Sequence, residues 1–272
     1  MDLPQLETMV RPRSREEIPA WEEGMGVLAG GTWLFSEPQP GLRSLVDLVG
    51  LGWPALEVSE AGLTIGATCT IAALEAFEAP AAWVAAPLFA GCCRALLGSF
   101  KVWNTATVGG NVCLALPAAP MLALTAALEG MAEIWMPNGE VRFAPMASFA
   151  LGEQGTVLRP GDILRSIHLE VAALRRRAVW RQASLTALGR SAALLVATFD
   201  ASGAFSLTIT ASTVRPVHRA WPVPPEASAL DAYIEAMPAS LWYDDVHGAP
   251  AWRKHMTRRL AAELLAELIP WS

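Results

Sequence analysis

Two glycine pairs are the residues of this 272-residue sequence best suited to chemistry. Gly109 and Gly110 stand in TATVGGN at 105–111, and Gly30 and Gly31 stand in AGGT at 29–32, after the apolar residues Val27, Leu28 and Ala29. Adjacent glycines remove two Cβ atoms from a turn, so backbone N–H groups can face one point and approach a ligand closely. Such a concavity favours an anion. Two of them, about eighty residues apart, exceed what one phosphate requires, and the economical reading is that they converge on a diphosphate. A single Gly-Gly pair is most often just a turn, so the inference rests on the two together.

Other chemistries lack their residues. Cys69, Cys92, Cys93 and Cys113 form no C-x-x-C pair and have no histidine at ligand spacing, which argues against zinc and iron–sulfur sites and reads as reduced core thiols. His168, His218, His247 and His255 are dispersed. A net charge of −6 with scattered arginines, RRR at 175–177 apart, argues against nucleic acid. Hydrophobic residues make up 53% and charged residues 17%, an apolar balance that suggests a buried interface. No run approaches the length of a membrane span, and the N-terminus has no apolar core of a secretory signal, so the expectation is a soluble, cytoplasmic protein. Redox chemistry would have to come from a bound organic cofactor.

The elements that must position the glycine turns follow from periodicity and punctuation. Ser14 with Glu17 suggests a capping box opening a helix. Strands are expected at 27–29 and 45–48, and a hairpin at 56–59 and 63–65. Thr68 or Thr70 can cap a helix at 71–77, and 87–97 carries apolar residues at helical spacing. Residues 121–128 read as a buried helix, 132–136 as a strand turning at Asn138-Gly139 into 140–143, and 163–170 as a strand after the turn LRPG at 158–161. Beyond a boundary near 171 come strands at 178–184, 192–200 and 205–211, a proline-rich crossing at 216–225, and helices at 227–236 and 252–268. The last helix carries Met256, Leu260, Leu264 and Leu268 as one apolar stripe. Among the eleven tryptophans, Trp53, Trp83, Trp242 and Trp271 lie near loops or element ends and are candidates for a docking surface.

In order, AGGTWL at 29–34, LTIGATCTIAALE at 63–75, VWNTATVGGNVCLALPAAP at 102–120 and LRPGDIL at 158–164 resemble the FAD-binding (medium) subunits of the molybdenum hydroxylases, the group that includes xanthine dehydrogenase, carbon monoxide dehydrogenase and aldehyde oxidoreductases. The likeness continues through VWRQAS at 179–184 and WRKHMTRRLAAELL at 252–265. It implies an α+β fold, with a two-part FAD-binding domain at 1–171, split near 50–60, and a smaller α+β domain of antiparallel sheet and helices at 172–272. It implies FAD as the cofactor. Ala29, Gly30, Gly31 and Thr32, with Trp33 and Leu34 after them, match the first diphosphate loop. Thr107, Val108, Gly109, Gly110 and Asn111 match the second, with Ala118 beyond it. Leu158 matches a residue that packs by the isoalloxazine in relatives. Arg181 stands where relatives have a lysine near the flavin ring.

The resemblance further implies partners: a small subunit with two [2Fe–2S] clusters and a large subunit with the molybdenum cofactor, in a dimer of heterotrimers, with FAD passing electrons to an external acceptor. No protein nucleophile is needed for that role. The chain departs from the family pattern at Trp33, where relatives carry Asp or Asn, at Pro120, where they carry Asp, and at Leu185, Thr186 and Ala187, which replace a double-arginine and acidic pattern. Two other functions therefore stay compatible with the residues: a stand-alone flavin oxidoreductase taking hydride from a nicotinamide, and an assembly scaffold that has lost FAD.

Overall fold

The computed structural model describes residues 3–269. Its architecture is α+β with three main sheets. The first is parallel, in the order β1-β3-β2, from β1 (Thr8–Val10), β2 (Met25–Leu28) and β3 (Ser44–Asp47). The expected helix at Ser14 is a single 3-10 turn, Arg15–Glu17, and the Ser14 hydroxyl caps nothing. Pro19 pushes Ile18 into extended backbone and ends the turn at once. Glu17 instead accepts a hydrogen bond from the Arg13 N–H at 2.8 Å.

The second sheet holds β4 (Leu56–Ser59), β5 (Gly62–Gly66), β6 (Met131–Trp135) and β7 (Val141–Pro145) around a central strand. After the short hairpin of β8 (Ala150–Gly152) and β9 (Gly155–Thr156), that central strand is β10 (Ile163–Glu170), antiparallel to both β5 and β6. Gly139, at φ +88°, makes the tight turn expected between β6 and β7. Five helices follow β5 and cover the sheet. They are α1 (Ile71–Glu75), capped by the Thr70 hydroxyl, α2 (Pro87–Ala95), α3 (Phe100–Trp103), α4 (Val108–Leu114) and α5 (Pro120–Ala127). Every residue of α5 is buried. A helix apolar on all sides must be enclosed on all sides, and α5 packs on α2 and α4 at one side and on the third sheet at the other.

The third sheet follows α6 (Val171–Leu174) and is antiparallel in sequence order: β11 (Arg177–Ala183), β12 (Ala193–Phe199), β13 (Phe205–Thr210) and β14 (Val217–Trp221). β14 corrects the reading of 216–225 as a crossing. It is an edge strand bounded by Pro216 and Pro222, and a proline is tolerated at the start of such a strand, where no ladder N–H is required. The helices α7 (Ala227–Glu235) and α8 (Pro250–Leu268) cover this sheet. Leu260, Leu264 and Leu268 of the apolar stripe are buried, and Met256 is partly so. Arg253 of α8 is also buried, at 1% exposure. Its guanidinium donates to the carbonyls of Gly248, Ala192 and Ala211 and pairs with Asp245, fastening α8 to the start of β12 and the end of β13. Trp83 and Trp242 are buried and belong to the core rather than to a docking surface, whereas Trp53 is half-buried and packs edge-on against Trp135. Trp271 lies outside the described residues.

Candidate cofactor site

β2 carries the chain edge-on into residues 29–34. Gly31, at φ +72°, turns it, and the Phe35 N–H closes one helical turn on the Gly31 carbonyl at 2.9 Å. The first donors of a helical turn have no partner of their own, and here the N–H groups of residues 30–34 have no internal acceptor among the described residues. This is a run of unpaired donors on residues that line a cleft. A Cβ on Gly30 would overlap the Thr105 carbonyl oxygen and stand 2.9 Å from the Thr105 carbonyl carbon and 3.1 Å from Ala106 Cα. The first glycine turn therefore rests directly on the segment that leads into the second, as their proposed convergence requires.

The second pair works differently from the expectation. Gly109 and Gly110 lie in the first turn of α4, not at a bend, and the donors there are already engaged. Val108 donates to the Cys69 carbonyl at 2.8 Å, Gly109 to Ala67 at 3.0 Å, Gly110 to the Thr107 hydroxyl at 3.0 Å and Asn111 to the Thr107 carbonyl at 3.0 Å. The pair thus supplies room, not free N–H groups. Gly109 lets α4 press on Ala67, where a Cβ would come within 2.6 Å of the Ala67 Cβ. Gly110 faces open space apart from the Thr107 hydroxyl at 2.9 Å. Thr107 caps the helix and, as a hydroxyl, keeps a proton to donate. Asn111 Oδ1 accepts the Met121 N–H at 3.0 Å and so caps α5, whose first residue, the buried Pro120, brings no capping side chain.

Between these turns lies a cleft of about 450 Å³, within the range of small-molecule sites. Ala29, Gly30, Gly31, Thr32, Trp33, Leu34, Thr107, Gly109, Gly110, Asn111 and Leu158 all line it. Three expected residues do not. Val108 is fully buried, Ala118 packs with Ala95, Ala123 and Leu194 under α5, and Arg181 lies on β11 with its guanidinium paired to Glu263 and Glu267 of α8. Burial and the ion pairs hold these side chains away from the cleft. Pro120 does not line it either, whereas Trp33 does.

Several lining residues were given no role from the sequence, although Asp162, Ile163 and Leu164 fall within LRPGDIL. Leu48, Ile163 and Leu164 give apolar wall at the ends of the first two sheets. Asp162, 7% exposed, accepts from Arg142 at 2.7 Å and from the Arg159 N–H at 3.0 Å, while Arg142 also donates to the Val157 carbonyl. That pair fixes the LRPG turn and with it Leu158. Arg190, exposed on the loop between β11 and β12, is the other charged side chain of the lining. Cys113 reaches the cleft with its thiol pushed up to about 12 by burial, so it stays protonated at neutral pH. Among the described residues, no three His, Cys, Asp or Glu side chains gather to hold a metal ion, and no helix is long and apolar enough to cross a membrane.

An N–H run, a capping hydroxyl and apolar walls with one neutralised carboxylate suit a ligand that carries a diphosphate between flat, largely apolar rings. Residues 6–169 match the family model of the FAD binding domain in molybdopterin dehydrogenase. This chain belongs to that family. Its cofactor is accordingly FAD, and the cleft's donors and apolar walls fit that molecule. The chain is 32% identical over 120 residues to a xanthine dehydrogenase of Oryza sativa subsp. japonica, an alignment that spans 42% of this chain and 9% of that protein. The fold is shared with two solved enzymes, each at 20% identity. Quinoline 2-oxidoreductase from Pseudomonas putida 86 matches at a TM-score of 0.78 over 98% of this chain and 99% of that one. CO dehydrogenase from Oligotropha carboxidovorans matches at 0.82 over 97% of each.

Proposed function

We propose that this chain is the flavoprotein subunit of a heteromeric molybdenum hydroxylase, with FAD held in the cleft between the two glycine turns. The observation that carries the reading is the contact of Gly30 with the Thr105–Ala106 backbone beside an unpaired run of N–H groups at 30–34. Those donors, with Thr32 and the Thr107 hydroxyl, hold the diphosphate without placing a lysine beside the flavin. Gly110 leaves the space the cofactor enters. Trp33, Leu158, Leu48 and Leu164 exclude water from its flat rings, and the Arg142–Asp162 pair keeps Leu158 in place. Bound there, FAD takes electrons in and releases them to a second redox partner. In this reading the donor is a [2Fe–2S] subunit, a large subunit holds the molybdenum cofactor, and the acceptor is external.

The same proposal sets residues 1–171, in two subdomains split near 50–60, as the FAD-binding part, and 172–272 as the part that closes one end of the cleft. It places the complex in the cytoplasm as a dimer of heterotrimers. Purification from the native source, with an absorption spectrum and the masses of co-purifying chains, tests it. A flavin band with one small iron–sulfur and one large molybdenum-cofactor chain is expected. A colourless chain that purifies alone would overturn it.

A further inference from the structure

The structure leaves one cation at the cleft with nothing to neutralise it. Arg190 lines the cavity, is exposed, and makes no ion pair and no side-chain hydrogen bond among the described residues. Arg181, on the strand that leads into this loop, is occupied by Glu263 and Glu267. The one carboxylate of the lining, Asp162, already faces Arg142 at 2.7 Å. An arginine at a ligand cavity with no internal partner carries a charge that a ligand can use.

Its place along the cleft follows from the chain path. α4 has seven residues, about 10 Å at 1.5 Å per residue. Its first turn adjoins residues 105–106, on which Gly30 rests, so the free N–H run lies at that end. Its last residue, Leu114, leads to Leu116 and Pro117, and the Pro117 carbonyl accepts the Ala211 N–H at 2.8 Å. Arg190 stands two residues before Ala192, whose carbonyl shares the Arg253 guanidinium with that of Ala211. Arg190 therefore enters with the third sheet at the far end of α4 from the N–H run. Leu114 and Leu116 give that end apolar walls.

We propose that Arg190 is the cation facing the isoalloxazine end of FAD, and that it stabilises the reduced form over the oxidised form. The neutral donors at 30–34, one helix length away, would hold the diphosphate. Two-electron reduction of FAD adds negative charge at the N1 edge, and charge near N1 is a lever by which a protein sets flavin electronics. A guanidinium at the mouth of a solvent-open cleft is screened, so its preference for the reduced form is about tenfold rather than a hundredfold.

This assignment rests on FAD occupying the cleft, and its test separates the two. The midpoint potential of the flavin and the affinity of the flavin-free protein for oxidised FAD are measured for the wild type, Arg190→Gln and Arg190→Lys. The expected result is a potential about 30 mV lower in Arg190→Gln, the equivalent of a tenfold change for a two-electron couple, with oxidised FAD bound almost as before and Arg190→Lys restoring much of the shift. An unchanged potential overturns the assignment. So does equal weakening of both oxidation states, which would set the charge at the diphosphate or the adenosine. If the wild type binds no FAD, the cleft itself is misassigned and Arg190 with it.

Discussion

The adjacent glycines of α4 should respond in opposite ways to the same methyl group. Changing Gly110 to Ala adds about 0.8–1.0 kcal/mol of helix propensity. The new Cβ meets only the Thr107 hydroxyl, at 2.9 Å, and crowding that cap costs about 1 kcal/mol. The two effects cancel, and the melting temperature of the flavin-free protein should barely move. Changing Gly109 to Ala gains the same propensity but sets its Cβ 2.5 Å from the Ala67 carbonyl oxygen, 2.6 Å from its Cβ and 2.8 Å from its Cα. Ala67 has no rotamer with which to give way, so backbone must shift, and overpacking of this kind costs about 1–3 kcal/mol. At about 2–4 °C per kcal/mol, melting should fall by several degrees. FAD titration then reverses the order of interest: the stable Gly110→Ala protein should bind FAD at least about tenfold more weakly, a loss of about 1.4 kcal/mol, because its methyl occupies cofactor space. Unchanged FAD affinity in Gly110→Ala, or wild-type stability in Gly109→Ala, would refute the roles given to the two residues.

Three further outcomes follow from the polar contacts. Glu129 is held down at about 2 by His218 and by Arg176, with Arg176 closing two hydrogen bonds at 2.8 and 3.0 Å and His218 standing 3.7 Å away. Its folded value lies below the ordinary 4.5, so its contribution is complete above that pH and lost as pH falls toward 2. With Glu129 40% exposed, screening limits the effect to about 1 kcal/mol, and Glu129→Gln should flatten the acid limb of a stability–pH curve by that amount. Arg253→Met should cost about 3–5 kcal/mol, the usual result of breaking a buried ion pair, seen as a lower denaturation midpoint. Asp162→Ala strands Arg142 and frees the loop that holds Leu158. It should lower stability by about 1–3 kcal/mol and weaken FAD binding, whereas Arg159→Ala, whose contact with Asp162 is through its backbone N–H, should do neither.

Most of the architecture was legible because it rests on local signals. β10 has the expected bounds, and the Asn138-Gly139 turn, the Thr70 cap and the buried 121–128 helix all depend on residues close in sequence. β14 was hidden because its pairing with β13 is set by the neighbouring strand while its own residues, VHRAW, show no apolar–polar alternation and are flanked by prolines. The Ser14 helix failed because Pro19 overrides a cap. For the site, the glycine pairs located both walls, but their division of labour was not readable. At 108–111, Thr107 takes the N–H groups of Gly110 and Asn111 locally, but those of Val108 and Gly109 are taken by the carbonyls of Cys69 and Ala67, which arrive from another element and have no counterpart at 30–34. Arg181 was misplaced for a related reason: its alternation on β11 turns it toward the two glutamates of α8, and nothing local to VWRQAS reveals them. Arg190 is brought to the cleft by the packing of the sheets, which no spacing announces, and the role of Asp162 within LRPGDIL depends on Arg142 from β7.

Every role given to the cleft residues depends on FAD being held between the glycine turns. The direct test is the flavin-to-protein ratio of the purified wild type beside Gly110→Asp, each with its melting temperature. Gly110→Asp puts a carboxylate where the cofactor enters, next to the Thr107 hydroxyl, without touching Ala67. One FAD per chain is expected in the wild type and almost none in a folded Gly110→Asp protein. Equal flavin content in the two, or a folded wild type that retains no flavin, would contradict it.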